Sequence, residues 1–149
     1  MMHEGIAMFR AMGFDAWRQI LHAEMAAYYG KMDQPEKGLE LLEESLIVVN
    51  ETLHRMWEAE LYRIKGQLLL LQGEAESEVE ACYKKALAVA REQEAKSFEL
   101  RAAMSLGRLW QSQGKNKEAK EMLDKVYSWF TEGFETKDLR EAKQLLAEL

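Results

Sequence analysis

The sequence predicts a fold built only of α-helices, and three observations support that prediction. The 149 residues include a single proline, although about 5% is usual, so long helices can run without interruption. Val, Ile and Thr are scarce, which disfavours an extensive β-sheet. Glycines follow amphipathic stretches at positions where a left-handed residue would close a helix, namely Gly13, Gly73, Gly114 and Gly133.

These signals divide the chain into a series of helical segments. They cover 2–12, 15–31, 34–53, 56–72, 77–94, 97–113, 116–131 and 137–148. Asp33 is the predicted N-cap of the third segment, with Pro35 in its first turn. Ser77 and Glu80 have the spacing of a capping box, and Thr136 is a suitable cap for the last segment. The connections are short, so consecutive helices should be antiparallel neighbours.

One pattern of side-chain size recurs at an interval of 40 or 41 residues. Each first helix carries, in order, a large residue, a small residue, a large residue and a turn residue. The three sets are Trp17, Ala26, Tyr29 and Asp33; Trp57, Gly66, Leu69 and Gly73; and Phe98, Gly107, Trp110 and Gly114. The second helices align through Gly38, Val79 and Ala119, then Leu42, Tyr83 and Leu123, then Ser45, Ala86 and Val126. Small residues let antiparallel helices approach closely while large ones fill the gap between pairs, so the pattern predicts an α-solenoid.

The repeat organises the chain as one domain over residues 1–149. We expect a half repeat at 1–13, repeats at about 15–53, 56–94 and 97–133, and a capping helix at 137–149. The apolar stripe of the cap consists of Leu139, Ala142, Leu145, Leu146 and Leu149. The aromatic residues expected to seat it are Trp129, Phe130 and Phe134.

The first segment carries an apolar face that this organisation leaves uncovered. That face is formed by Ile6, Phe9 and Met12, with Met8 beside them. Gly5 matches Gly38 of a second helix, so the segment resembles the second half of a repeat. We therefore expect either that the chain is cut from a longer protein or that this helix forms a homodimer.

At these residues the sequence resembles the tetratricopeptide repeat (TPR) family. The third repeat follows the family pattern without a gap, through Leu106, Gly107, Trp110, Gly114, Ala119 and Leu123. The second repeat follows it with one extra residue in the turn, through Gly66, Leu69, Gly73, Tyr83 and Ala86. The family repeat is usually about 34 residues, and the proline that usually follows its second helix is missing here. The resemblance implies a TPR-like α-solenoid of antiparallel helix pairs, in a divergent and extended form.

Two longer stretches, residues 57–70 and 127–139, narrow the resemblance. Both are similar to segments in the C-terminal helical-repeat regions of large bacterial signalling proteins. Those proteins carry a predicted STAND-type ATPase domain, often behind an adenylate/guanylate cyclase or a DNA-binding regulator domain. The resemblance implies a sensor or interaction module. It implies no ATPase activity for this chain, because the sequence contains no Gly-rich phosphate loop ending in Gly-Lys-Ser/Thr.

Composition limits the binding partners and the cellular compartment to be expected for the protein. The formal net charge is −6, which disfavours a general nucleic-acid binder. Cys82 has no second cysteine to pair with, so a reducing compartment is expected. The longest apolar run, 68–71, is far too short to cross a bilayer, and the N-terminus lacks the pattern of a signal peptide. We therefore expect a cytoplasmic protein that binds neither nucleic acid nor membranes.

No residue pattern in the sequence points to catalysis, a cofactor or a metal. The histidines are His3, His22 and His54, and they have no further ligands at zinc-binding spacing. Cys82 has no identifiable histidine partner that would activate its thiol. The chain is accordingly not expected to be an enzyme.

The resemblance implies that the first helices line a concave groove. The groove positions are counted from the small residue of each first helix. They are Glu60, Arg63, Gln67, Leu70 and Leu71 in the second repeat, and Arg101, Met104, Arg108, Gln111 and Ser112 in the third. Arg101 and Arg108 are seven residues apart and share one helix face, and Arg63 should lie on the neighbouring helix. Three arginines facing one groove would suit a carboxylate or an acidic peptide. Alternatively, they pair with Glu60, Glu99 or other local acids.

Two functions follow as hypotheses. The first is a protein-interaction module of a bacterial signalling protein, which binds a peptide or partner domain in its concave groove. The second is a sensor that binds a small acidic ligand or signalling peptide and changes the curvature of the superhelix.

Overall fold

The computed structural model describes residues 2–51 and 55–149, with side chains from residue 17 onward. This part of the chain contains seven α-helices and no strand, which confirms the all-α prediction. The helices are α1 (Met2–Lys31), α2 (Pro35–Glu51), α3 (Glu58–Leu71), α4 (Glu76–Glu92), α5 (Lys96–Ser112), α6 (Asn116–Tyr127) and α7 (Lys137–Glu148).

α1 is longer than predicted, because it continues through Gly13. The predicted break at Gly13 is therefore wrong, and residues 2–13 of the predicted half repeat lie in α1 rather than in a helix of their own. A glycine inside a helix costs only about 1 kcal/mol relative to alanine, so it does not end a helix whose neighbours continue it. The side chains of His3, Ile6, Met8, Phe9 and Met12 lie outside the described residues, as does His54. The apolar face predicted for the first segment therefore stays a prediction.

The turns inside the three helix pairs share one backbone structure. Their central residues have positive φ, with values of 57° at Asp33, 76° at Gly73 and 77° at Gly114. In each turn the N–H of the residue after the positive-φ residue donates to the carbonyl of the second large residue of the first helix. The pairs are Gln34 to Tyr29 at 2.9 Å, Glu74 to Leu69 at 3.0 Å and Lys115 to Trp110 at 2.8 Å. This is the Schellman arrangement that closes a helix. The turn between α4 and α5 has it too, with φ of 54° at Glu94 and the Ala95 N–H donating to the Ala90 carbonyl at 2.8 Å, so the arrangement does not by itself mark the repeat.

Two predicted caps are wrong, and one is confirmed in position. Asp33 closes α1 and does not cap α2, because an aspartate tolerates the left-handed conformation that this turn requires. α4 begins at Glu76 after Ala75, so Ser77 is already inside the helix and forms no cap. Thr136 does precede α7, but its hydroxyl donates to the carbonyl of Gly133 rather than accepting from the helix.

The helices form two rows. Consecutive helices contact each other, and α1 also contacts α3, α3 contacts α5, and α5 contacts α7. The odd-numbered helices therefore form one continuous row, with α2, α4 and α6 packed along it. This arrangement is that of an α-solenoid, and it places the predicted groove residues on the row of odd-numbered helices.

The repeat positions of the second helices form the core. All nine are buried: Gly38, Val79, Ala119, Leu42, Tyr83, Leu123, Ser45, Ala86 and Val126. The small positions Ala26, Gly66 and Gly107 on the first helices are buried too. Burial raises the pKa of the Tyr83 hydroxyl to about 12, so this side chain stays neutral inside the core.

Trp57 and Phe98 pack together at the starts of two first helices, with their ring centroids 5.4 Å apart. Phe98 also packs on the cluster of Ala59, Val89 and Ala90, which belongs to the preceding helix pair. Trp17 differs from this prediction, since 68% of its surface is exposed. Within the described residues, no helix pair precedes α1 to cover it. The predicted packing role holds for two of the three aromatic positions.

α7 closes the other end of the solenoid as predicted. Its apolar stripe faces α5 and α6, with Leu139, Ala142 and Leu145 buried. Phe130, Leu146 and Leu149 are partly buried against the same cluster. Trp129 and Phe134 remain largely exposed. In the part of the chain that the structure covers, none of the helices combines the length and the apolar character needed to cross a membrane.

Candidate functional site

Two adjoining cavities lie along the row of odd-numbered helices. The first, here called the polar cavity, has a volume of about 620 Å³ and lies among α3, α5 and α7 beside the end of α1. The second, here called the apolar cavity, has a volume of about 520 Å³ and lies among α1, α3 and α5. Lys31, Gln67, Ser105 and Arg108 line both. We call the two cavities together the groove.

The groove gathers most of the predicted site residues. Those that line the polar cavity are Arg63, Gln67, Arg101, Met104 and Arg108, and those that line the apolar cavity include Leu70, Leu71 and Ser112. Gln111 lines neither cavity. The α5 residues of the apolar cavity recur at intervals of three and four and form one face, and Gln111 lies about 100° away from that face.

The repeat interval brings equivalent residues side by side across the groove. Glu60 and Arg101 are separated by one interval, and Arg101 Nη1 lies 3.4 Å from Glu60 Oε2. Lys31 precedes the groove position Leu71 by one repeat interval, so counting groove positions in the first repeat as well identifies Lys31. Lys137, Asp138 and Glu141 were also missed, because α7 does not follow the repeat. Their only sequence signal is the spacing of Lys137 and Glu141, four residues apart on one helix face.

Glu60 anchors the floor of the polar cavity. Its side chain is 5% exposed, and it accepts two hydrogen bonds from Arg63. These run from Nε to Oε1 at 2.8 Å and from Nη2 to Oε2 at 2.9 Å. This bidentate geometry fixes the guanidinium plane and neutralises its charge. The sequence left open whether the arginines pair with local acids, and Arg63 does so with Glu60.

Arg101 connects three helices. Its Nε donates to Asp138 Oδ2 at 2.8 Å, and its Nη1 reaches Glu60 from the other side. Burial lowers the pKa of Arg101, but the hydrogen bond that Arg101 donates to Asp138 and the charges of Glu60 and Asp138 outweigh that effect and raise the pKa overall. Arg101 is therefore a permanent cation that joins α5 to α3 and α7. Glu99, the other acid considered, lies elsewhere and pairs with Arg91 and Lys96.

Two cations of the groove are held much less firmly. Arg108 has half of its side chain exposed, and its nearest carboxylate is Glu141, with Nη2 and Oε2 3.9 Å apart. Lys31 is exposed and forms no ion pair with any residue that the structure describes. Both residues lie where the polar and apolar cavities meet. They are therefore available to an incoming anion at that junction.

The groove has a local charge opposite to that of the whole chain. Five cationic side chains line the polar cavity: Lys31, Arg63, Arg101, Arg108 and Lys137. Two carboxylates line it, from Asp138 and Glu141, and Glu60 lies bonded to its arginines. Cations thus exceed carboxylates here, although the formal net charge of the chain is −6. Such a groove attracts anions despite the overall charge.

The side chains of His22 and Cys82, considered above as chemical groups, lie outside the groove. His22 Nδ1 lies 2.8 Å from Ser45 Oγ, between α1 and α2. Burial raises the pKa of the Cys82 thiol, which makes it a weaker nucleophile at neutral pH. Among the described side chains, no group of His, Cys, Asp and Glu is arranged to hold a metal ion.

Comparisons of the chain with models of protein families, with curated proteins and with solved structures give no match.

Proposed function

We propose that the chain is a protein-interaction module without catalytic activity, which binds an acidic segment of a peptide or partner domain in the groove. The resemblance of residues 57–70 and 127–139 to bacterial helical-repeat regions supports a place at the regulatory end of a cytoplasmic signalling protein. The resemblance to tetratricopeptide repeats supports groove binding in general. The expected chemistry of the ligand is inferred from the residues that line the groove.

One observation carries this proposal: an apolar cavity and a cation-rich cavity meet at Lys31 and Arg108. A carboxylate at that junction reaches both cations, with hydrogen bonds from the guanidinium of Arg108. A neighbouring aliphatic side chain enters the apolar cavity, whose walls include Leu68, Leu70 and Leu109. Leu70 is 43% exposed, so covering it removes apolar surface from water. The apolar contact supplies affinity, and the cations set the position of the ligand along the groove.

Selection from a display library of random peptides on the immobilised chain tests the proposal. Enriched peptides should carry Asp or Glu beside aliphatic or aromatic residues, since the groove pairs those two chemistries. Their binding should weaken as salt is added, because the junction cations Lys31 and Arg108 are exposed. Enrichment of basic peptides, or of none, would contradict the proposal.

Arg108→Glu should raise the dissociation constant of an enriched peptide by about 10- to 100-fold, which corresponds to the loss of a charge-assisted hydrogen bond. Isothermal titration calorimetry measures this change. Arg140→Glu is the matched control, because Arg140 is an exposed arginine on α7 outside the groove and undergoes the same charge reversal. Equal losses in the two variants would show that binding depends only on the total charge, and would overturn the role of the junction.

The sizes of the cavities favour a second candidate, a sensor of a small acidic ligand. At about 520 and 620 Å³, each cavity falls in the usual range of small-molecule sites, roughly 300–1,000 Å³. A panel of small carboxylates separates the two candidates in a thermal-shift assay. Stabilisation by a dicarboxylate, without selection of any peptide, would favour the sensor.

A further inference from the structure

α1 carries a stripe of exposed apolar side chains on the side away from the core. The stripe consists of Trp17, Leu21, Met25, Tyr28 and Met32, which are between 44% and 68% exposed. They follow one another at intervals of four, four, three and four residues, so the first four lie on one face of α1. Met32 directly follows the last residue of α1 and continues this line, with its N–H donating to the Tyr28 carbonyl at 3.1 Å. We call this set the α1 stripe. It contains no charged residue.

In the second repeat, helix packing buries residues at two of the same positions. Leu61 and Leu68 stand one interval after Leu21 and Tyr28, and they are 0% and 1% exposed. Leu61 packs in one cluster with Leu42 and Leu46 of α2, the helix before it. The α1 stripe therefore presents the surface that a solenoid normally covers with another helix.

The spacing of the α1 stripe suits a straight helix partner. Trp17 and Tyr28 are 11 residues apart, as are Leu21 and Met32. An 11-residue repeat corresponds to about 3.67 residues per turn, close to the 3.6 of an undistorted helix. Two such helices can therefore lie along each other with little supercoiling.

The area of the α1 stripe matches the lower limit of a stable dimer. The exposed fractions of its five residues correspond to about 600 Å², which is the upper end for the largest apolar patch of a monomer. If two stripes face to face covered each other completely, they would remove at most about 1,200 Å² from water, which is where specific interfaces begin.

At the opposite end of the solenoid the exposed large apolar side chains are Trp129 and Phe134, which precede α7 and form no stripe along a helix. The outward face of α7 is polar, with Arg140, Lys143 and Gln144 exposed. Head-to-tail stacking would place these groups against the α1 stripe and bury them without partners. A two-fold arrangement instead brings apolar surface against apolar surface and closes the assembly at two copies.

From these observations we propose that the α1 stripe is the interface of a two-fold homodimer. It lies on a different face of α1 from the groove, so this proposal and the proposed function can fail independently. Sedimentation velocity of the full chain over a range of concentrations tests it. The expected result is a concentration-dependent monomer–dimer equilibrium, or a dimer throughout.

Leu21→Glu and Tyr28→Glu should each raise the dissociation constant of the dimer by at least about tenfold, since each buries an unpaired carboxylate in the interface. Ile47→Glu is the matched control, because Ile47 is 56% exposed on α2, outside the stripe, and this variant should dimerise like the parent chain. Circular dichroism verifies that all three variants remain folded. A monomer at every concentration would overturn the proposal. Dimerisation unchanged in both stripe variants would overturn it as well.

Discussion

Replacing Glu60 with alanine should lower the free energy of unfolding by about 2–3 kcal/mol. Removing one partner of a buried ion pair typically costs about 3–5 kcal/mol, because the other charge is left without compensation. Arg63 would lose both of its hydrogen bonds while only 17% of its side chain is exposed. Arg101 keeps Asp138 and is 38% exposed, so its share of the loss is screened by water. Urea denaturation measures the change.

Glu99→Ala is the matched control for this prediction. Glu99 is also a buried carboxylate with two cationic partners, but Arg91 is 53% exposed and Lys96 is 35% exposed. We expect a loss of about 1 kcal/mol there, since exposed cations recover their hydration. A loss at Glu60 no larger than at Glu99 would contradict the role of Glu60 as the anchor of the groove floor. Glu60→Ala also frees the guanidinium of Arg63 toward the polar cavity, while Arg101 keeps Asp138. An acidic peptide should therefore bind more tightly as stability falls.

The second large effect is expected at Gly66, where alanine should destabilise the fold by about 1–2 kcal/mol. A Cβ atom there would lie 2.6 Å from Cε1 and 2.8 Å from Cδ1 of Tyr83. The Tyr83 ring is buried and cannot move aside without displacing the core around it. Overpacking of this kind costs about 1–3 kcal/mol, and the 2.6 Å contact with a buried ring places Gly66 in the upper part of that range, at about 2–3 kcal/mol. The better helix propensity of alanine returns about 0.5–1 kcal/mol of it.

Gly107→Ala provides the control at the equivalent position of the next repeat, and its effect should have the opposite sign. The nearest atoms to a Cβ there are Leu145 Cδ2 at 3.7 Å and Met122 Cε at 3.9 Å, both at ordinary contact distance. The gain in helix propensity should therefore raise stability by about 0.5–1 kcal/mol. Thermal unfolding followed by circular dichroism compares the two variants. Equal effects would mean that the two repeats are packed alike.

Local patterns in the sequence were sufficient to predict the helix pairs. The size pattern of the repeat depends on contacts within one pair and between neighbours, which recur along a solenoid. The same interval explains why Gly73 and Gly114 share a turn structure. Asp33 takes that structure as well, although its side chain also suits an N-cap, and only the backbone distinguishes the two roles.

Features that depend on the ends of the solenoid were harder to predict. Trp17 has the residue type of a packed position, but its exposure depends on what precedes α1 in space. Lys137, Asp138 and Glu141 enter the groove because α7 packs against α5, a tertiary contact that the repeat does not encode. The charge of the groove could therefore be predicted only in part, from Arg63, Arg101 and Arg108.

Methyl spectra of the chain with labelled methionines test most directly whether the groove holds the acidic ligand. Met104 is 3% exposed and lines the polar cavity, whereas Met122 on α6 lies near Gly107 and lines neither cavity, and Met25 belongs to the α1 stripe. On saturation with an acidic peptide from the display selection, the Met104 methyl resonance should shift while those of Met122 and Met25 stay in place. An unchanged Met104 resonance in the saturated complex, or a shift at Met25 alone, would show that the peptide binds elsewhere and would contradict the groove as the binding site.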